Sequence, residues 1–527
     1  MNLERVAVLG GGPGGLYAAR LLKLSNLATD VVVYEQSPPD QTFGFGVGLA
    51  SKTQRNLREA DAASFEAIVA ASHSHEMAMQ VGGRSAQLDH RDVLSIARTT
   101  LLDVLQQQAE DAGVRISAGA RRDVEDLDAA LIVAADGINS TTRTRMATAF
   151  NPRIDTGAGL YLWCGTNFAL PTAIFTPVTT EHGTFVAHAY PYTDDRSTFL
   201  IETDEDTWRR AGFDISTEQT RPQDSDETSL RYLQEAFADT LQHHRLIGNR
   251  TRWMRFRTVS NESWHTGNVV LLGDAAHTAH YSIGSGTKLA MEDAIVLRHA
   301  IESSANLGDA LTKYEQVRRP AVDHLQEIAQ RSELWWESFP QRMHLPVEQL
   351  MIAYMTRAGK VSVSRFLESA PTLVRQGLAS YADVTLDAVP ESDIDDWIIV
   401  QPFARNDYRF DDRIAPAELR NASTTVPLRI DIESAWGPHA EAIIKKTADA
   451  RTLWLTGPTD RSSVLTRLDL AERLVQHTNA VVVVEAPISC RSDIAAGLAS
   501  SRMHLAFFPE PAASGINPEA SRSAASV

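Results

Sequence analysis

Short runs of apolar residues, each closed by a glycine or an acid, recur along the first half of the chain. Val6-Ala7-Val8-Leu9, Val31-Val32-Val33-Tyr34, Leu131-Ile132-Val133-Ala134-Ala135 and Val269-Val270-Leu271-Leu272 read as strands buried on both faces, the pattern of a parallel sheet covered by helices. Helical spacing follows the first run over Leu16–Leu22 and recurs over Ser51–Ala60. It recurs again over Asp92–Ala112, where Val93, Ile96, Ala97, Leu101, Leu102 and Leu105 share a face and Gly113 closes the helix before Val114-Arg115-Ile116. Residues 64–90 read as short strands and loops. From about 157 to 203 the period changes to two, over Leu160–Trp163, Thr184–His188 and Ser197–Ile201, which predicts antiparallel strands with short turns. Glu227–His243 follows as a helix and Trp253–Val259 as a strand, with Arg255 and Arg257 on one face. Helical spacing then returns over Leu289–Ile301 and over Leu311–Trp336, where Pro320 should kink or split the helix.

Composition changes from about 375 onward. Pro390 and the acidic run Glu391–Asp396 read as a linker. Thr452–Leu455, Ser463–Gln476, Ala480–Val484, Asp493–Ser501 and His504–Phe508 then make a β-α-β-α-β series, a small parallel α/β unit. The expected fold class is α/β: a Rossmann-like nucleotide-binding domain (1–156 and 265–375, with C-terminal helices), an inserted, mostly antiparallel β substrate domain (157–264), a small C-terminal α/β domain (400–510) and a disordered tail (511–527).

Charge narrows the function classes. The 527 residues carry 50 Lys+Arg against 67 Asp+Glu, a net charge of −17, which argues against nucleic-acid and membrane surfaces as partners. Two cysteines, Cys164 and Cys490, lie far apart and outside any metal spacing, so a metal site is not expected and a reducing, cytoplasmic setting is. The apolar run near the N-terminus is broken by glycine after four residues, which suits a strand and not a signal peptide.

The chemistry begins where the first strand ends. Gly10, Gly12 and Gly15 fill the G-x-G-x-x-G positions. The first allows a tight turn, the second lets backbone approach a pyrophosphate, and the third lets helix pack on strand. The helix N-terminus then offers free N–H groups and a positive dipole end. Glu35 closes the second strand about 20 residues later, where an acid binds ribose hydroxyls. This pattern alone does not separate FAD from NAD. A second glycine loop, Ile283-Gly284-Ser285-Gly286-Thr287-Lys288, enters a helix in the same way and suits a negatively charged edge of a ligand.

Three separated segments, Gly10-Gly11-Gly12-Pro13-Gly14-Gly15, Asp136-Gly137-Ile138-Asn139-Ser140 with Arg143, and Gly273-Asp274-Ala275-Ala276-His277, resemble in order and spacing the fingerprints of the one-component FAD aromatic hydroxylases typified by p-hydroxybenzoate hydroxylase. The likeness covers roughly the first 375 residues. It extends to the salicylyl-CoA 5-hydroxylase and anthraniloyl-CoA monooxygenase group through Glu181-His182-Gly183, Ala187–Tyr192, Thr207–Gly212 and Thr278–Asp293. The resemblance implies FAD held by Gly10, Gly12, Gly15 and Glu35 at its ADP half, and by Arg98 and Asp274 at the phosphates and ribityl chain. Asp136 would link FAD binding to a transient NADH or NADPH co-substrate, and Gly284, Gly286, Thr287 and Lys288 would border the flavin. It further implies hydroxylation of an aromatic ring, carried as a CoA thioester, with O2 through a C4a-hydroperoxyflavin. A free aromatic or indolic substrate, or a flavin-dependent double-bond reduction, stand as alternatives.

His188, Tyr190 and His280 are the catalytic candidates, since histidine can accept a substrate proton near neutral pH. Tyr281, Arg255 and Arg257 are candidates for substrate binding, the arginines as partners of phosphate. His277 reads as structural. Three departures from the wider family stand out: Ser282-Ile283 where a proline is usual, Thr287-Lys288 near a usual asparagine, and Phe45 in place of an arginine. Longer relatives add a second flavin barrel, for which this chain is too short. Homo-oligomerisation is left open.

Overall fold

The computed structural model describes residues 3–38, 44–119, 121–284 and 286–509. The middle of the loop read over 36–48, Ser285 of the second glycine loop and the tail 511–527 lie outside the described residues. The chain forms two compact units, Met1–Val347 and Glu348–Val527. No helix among the described residues is long and apolar enough to cross a membrane.

The first unit is built on two sheets. One has six strands in the order His265–Thr266, Val269–Leu271, Leu131–Ala134, Leu3–Leu9, Ala28–Glu35, Arg115–Ala118. Its core strands pair in parallel, with Val8 opposite Val33 on one side and Val133 on the other, and all three are fully buried. The helix Pro13–Leu24 covers this sheet, its residues from Pro13 to Leu22 all buried. Burial on both faces is why these strands are unbroken valine-rich runs.

The other sheet has nine strands. As expected, 157–203 forms antiparallel hairpins, the first strand starting earlier, at Pro152, with His188 opposite Leu200 and Phe199 opposite Cys164. The sheet also takes Gly46–Leu49, His73–Val81 and Arg84–Ala97 from earlier in the chain. This corrects the helix expected from Asp92: the helix starts only at Arg98 and runs to Asp111. Ile96 and Ala97 are strand residues, opposite Val47 and Gly46. Ladder pairing with neighbours on both sides overrides a local helical spacing here. Val93, placed on the helix face, is 39% exposed.

Three other elements differ from expectation. Ala62–Ala70 is a helix, started by the Asp61 side chain accepting from Ser64 N–H and anchored by buried Phe65 and Ile68. The helix from Glu227 stops at Ala236, and Gln242 and His243 have positive φ, which no helix tolerates. Helix Leu307–Glu337 is not split by Pro320. The residues before that proline tie its turn down: Arg318 pairs with Asp293, and Arg319 bonds Glu315 and the carbonyls of Asn261 and Glu262.

In the second unit, the acidic run read as a linker contains a helix, Ile394–Ile399, because Ile394, Ile398 and Ile399 are buried under it. A four-stranded parallel sheet follows in the order Thr425–Arg429, Thr452–Thr456, Val481–Glu485, Leu505–Phe507, as the apolar runs indicated apart from its first strand. His504 is buried in it, and burial with Arg405 and Arg413 nearby pushes its pKa down to about 3.

One buried ion pair braces the first helix. Arg20 Nε donates to Asp61 Oδ2 at 2.5 Å, with both side chains under 10% exposed. Asp61→Ala should destabilise the protein by about 3–5 kcal/mol, because it leaves Arg20 charged and unpaired in the interior. Urea unfolding of the two proteins measures this, and a loss under 1 kcal/mol would contradict it.

Candidate functional site

The three sequence fingerprints meet at the C-terminal ends of the parallel strands, where open α/β sheets place their ligands. Gly10 has φ +104°, and a Cβ on it would lie 2.2 Å from the Ala135 carbonyl oxygen. A Cβ on Gly15 would lie 2.1 Å from the Gly10 oxygen. Packing therefore requires glycine at both. Gly12 is different. Its φ is −74°, and nothing lies within 4 Å of where its Cβ would be. Gly286 likewise has only open space over it, at the start of the helix Gly286–Glu302. No intramolecular reason calls for glycine at these two, whereas a ligand drawn close to the backbone does. Asp136 adds a buried Oδ1 with no hydrogen-bond partner, while its Oδ2 accepts from Thr142 N–H. Two open glycines at helix starts and one orphaned acid oxygen fit a dinucleotide such as FAD.

Each expected cofactor residue can be placed. Glu35 accepts from the N–H groups of Gly11 and Ser37, at 2.7 Å each, which fixes its carboxylate beside the turn. Arg98 opens its helix, with its N–H on the Phe45 carbonyl. Asp274 is open to solvent, yet burial by the surrounding protein raises its pKa against the pull of Arg98, His277 and Arg143. Gly284 has φ +61° and ends a single 3₁₀ turn; Thr287 and Lys288 sit half-buried in the first turn of the next helix.

Two buried charged groups hold these segments together. Arg143 is 3% exposed and donates to the carbonyls of Ile138, Asp274 and Ala275, joining the second fingerprint to the third. Asp293 is fully buried and accepts from Gly273 N–H, from Arg318 Nε at 2.7 Å, and pairs with His277 Nε2 at 2.8 Å. Burial would raise its carboxyl, but His277 and Arg318 outweigh it and hold the pKa down to about 2. His277 is thus structural, as its sequence position indicated.

Beside the third fingerprint lies a pocket of about 460 Å³, open solvent included. Tyr161, Phe256, His280, Tyr281 and Trp336 form its aromatic walls, and Glu202, Asp204, Glu333 and Glu337 its acidic ones. Tyr281 Oη donates to Glu202 Oε1. His188 Nε2 lies 3.3 Å from Glu202 Oε2, an ion-pair distance without hydrogen-bond alignment. Burial works to raise Glu202, but His188, His280 and Tyr281 bring it below the ordinary glutamate value. Burial and that same carboxylate push Tyr281 well above 10. His280 Nδ1 is 2.8 Å from Ser282 Oγ.

The structure brings His280, Tyr281 and, through Glu202, His188 to one pocket. It does not bring Tyr190 there: that hydroxyl donates to the Gly46 carbonyl at 2.7 Å. Arg255 and Arg257 are separated by a register shift in their strand pairing. Arg255 donates to Glu205 and the Ala158 carbonyl, and Arg257 to Asn139. Sequence reasoning missed Glu202, Glu333, Glu337, Asp293 and Arg318. Glu202 had one signal, a lone acid ending an apolar strand; Glu333 and Glu337 had another, an i, i+4 pair flanking Trp336 on one helix.

Two tests follow from this geometry. Gly15→Ala should cost roughly 1–3 kcal/mol of stability without ligand, because its methyl meets backbone, whereas Gly12→Ala should stay within about 0.5 kcal/mol yet weaken FAD binding; unfolding and flavin titration of both apoproteins measure this. The second concerns Asp293. Its folded pKa is depressed, so its contribution is complete above the unfolded carboxyl value and is lost as pH falls toward about 2. Asp293→Asn should remove that pH slope and cost about 3–5 kcal/mol at pH 7, read from urea unfolding across pH.

Known proteins resemble this chain in sequence and in fold. The FAD binding domain family matches residues 106–329. Salicyloyl-CoA 5-hydroxylase of Streptomyces sp is 40% identical over 368 residues, 68% of this chain and 71% of that protein. The 3-hydroxy-4-methyl-anthranilyl-(aryl-carrier protein) 5-monooxygenase of Streptosporangium sibiricum is 38% identical over 363 residues, 68% of this chain and 95% of that one. Among solved structures, 2-methyl-3-hydroxypyridine-5-carboxylic acid oxygenase superposes with TM-score 0.52 at 21% identity, covering 67% of this chain and 96% of its own, a likeness of fold. With open glycines where a flavin nucleotide fits and relatives at this level of identity, the chain belongs to the FAD-dependent aromatic hydroxylases.

Proposed function

We propose that this chain hydroxylates an aromatic ring carried as an acyl thioester, on CoA or a carrier protein, with NAD(P)H and O2. The observation that carries this reading is the aromatic pocket beside the Gly273–Asp274 segment, together with two relatives whose names place the ring on CoA or on an aryl-carrier protein. When bound, FAD supplies hydride acceptance and oxygen activation.

The chain's own residues do the rest. Gly10, Gly12, Gly15 and Glu35 would hold the ADP half, Arg98 and Asp274 the phosphates and ribityl chain, and Asp136 would link FAD binding to the passing pyridine nucleotide. The helix start at Gly286, with Thr287 and Lys288, presents N–H donors and positive charge to the flavin edge. Tyr161, Phe256 and Trp336 clamp the ring and keep water out. Tyr281 Oη, whose own hydrogen is committed to Glu202, keeps its lone pairs free to accept a hydrogen bond from a ring hydroxyl or amine and so to polarise it. Tyr190 acts as a positioning residue, holding the strand at Gly46.

The test is turnover of the FAD-loaded enzyme with ¹⁸O2, comparing 2-hydroxybenzoyl-CoA and 2-aminobenzoyl-CoA with the free acids. One labelled oxygen should enter the ring of the thioesters, with matching NAD(P)H consumption. Label from water alone, or coupling only to free acids, rejects the proposal. Tyr281→Phe should keep FAD and lower kcat by about 10²-fold or more, with a smaller change in KM.

A further inference from the structure

The pocket has an electrostatic asymmetry that the proposed reaction does not itself require. Four carboxylates line it, Glu202, Asp204, Glu333 and Glu337, of which Asp204 is engaged by Thr207, and among its lining residues there is no lysine or arginine. Glu333 is 7% exposed and sits on the long helix one turn before Glu337. The charged groups acting on it are acids, Glu337 and Glu202. A Cβ on Gly157 would lie 2.1 Å from Glu333 Oε1, so this carboxyl is packed directly against the facing strand. Glu337 accepts from Gly159 N–H at 2.5 Å, which leaves Glu333 without that relief. Arg255, the nearest cation acting on Glu337, is spent on Glu205.

An aromatic acid entering such a pocket as a free carboxylate would bring a further negative charge into a partly desolvated, acid-lined space. The same acid with its acyl group masked brings none. We infer that Glu333, backed by Glu337 and Glu202, is a specificity-determining residue that rejects free aromatic carboxylates and admits only rings whose acid is masked as a neutral thioester, ester or amide. The inference rests on the proposed reading in taking this pocket as the ring's site. It deepens that reading by explaining specificity through repulsion of the unmasked acid rather than attraction to the carrier.

Glu333 also gives the inference a signature. Burial first, and then Glu337 and Glu202, push its pKa up to about 8. The other ionisable groups around the pocket are Asp204, Tyr161 and Tyr281, the tyrosines both raised, His280 at the wall, and His188 and Arg257 behind the wall. The rejection should therefore sharpen as Glu333 gains its charge above neutrality.

Calorimetric titration of the FAD-loaded enzyme with 2-aminobenzamide and 2-aminobenzoate, a neutral and an anionic probe of matched size, tests this from pH 6.5 to 9.5. The amide should bind at least about tenfold more tightly at pH 7, and the ratio should widen by about a further tenfold across pH 8. Glu333→Gln should match the wild type at pH 6.5 and lose the widening. A flat wild-type ratio, equal affinities, tighter binding of the acid, or no binding of the amide overturns the inference; the wild-type series decides it even if the variant misfolds. Because binding is read without turnover, this result is independent of the ¹⁸O2 experiment, whose failure would instead reject the hydroxylation.

Discussion

A single fully buried carboxylate, Asp293, joins parts of the chain that otherwise share no contact in sequence. It accepts from the Gly273 backbone, faces His277 and pairs with Arg318. An uncompensated charge there would cost several kcal/mol, so Asp293 is tolerable only when the third fingerprint and the long helix are both in place around it. Arg143 works as its counterpart with the sign reversed, a buried cation satisfied by three carbonyls from two fingerprints. Charge burial of this kind makes the cofactor cleft an all-or-none structure. A partly assembled version would leave a bare ion in the interior.

That constraint reaches the pocket through the long helix. Arg318, fixed to Asp293, and Trp336 and Glu337, which line the pocket, lie on the same helix Leu307–Glu337. Continuity through Pro320 therefore matters functionally: a broken helix would detach the acidic wall from the charge that positions it. The bonds of Arg318 and Arg319 stand where the proline removes one rung of helix hydrogen bonding.

What could be read from the residues follows a physical rule. Gly10 and Gly15 answer to local necessities, a positive φ and an approach of backbone to backbone, so any chain making this turn must show them. Valine-rich runs answer to burial on both faces. Asp293, Arg318 and Glu333 answer to partners distant in sequence, and within their helices they look like ordinary polar positions. The strand 84–97 was hidden for the same reason: Val93, Ile96 and Ala97 have helical spacing, and only the neighbouring strands make them extended. The arginines of Met254–Asn261 looked like a ligand face because alternation puts Arg255 and Arg257 together, yet their partners, Glu205 and Asn139, come from separate segments.

The pocket's ionisable groups are pushed apart, and that ordering fixes which of them carries a proton. Glu202 lies below its ordinary value because His188 and His280 are beside it, whereas Tyr281, bonded to it, lies far above its own. Glu333 faces the same space with only acids for company and is raised to about 8. Two glutamates in one pocket thus hold different protonation states at neutral pH, set by their neighbours. Glu202, as carboxylate, holds the Tyr281 hydrogen and leaves that oxygen as an acceptor. Glu333, mostly protonated at neutral pH, gains its charge above it and strengthens there the repulsion that the other carboxylates already exert. A site built to polarise a ring hydroxyl or amine needs the first. A site that must also refuse the free acid needs the second, and one arginine in place of either glutamate would defeat both.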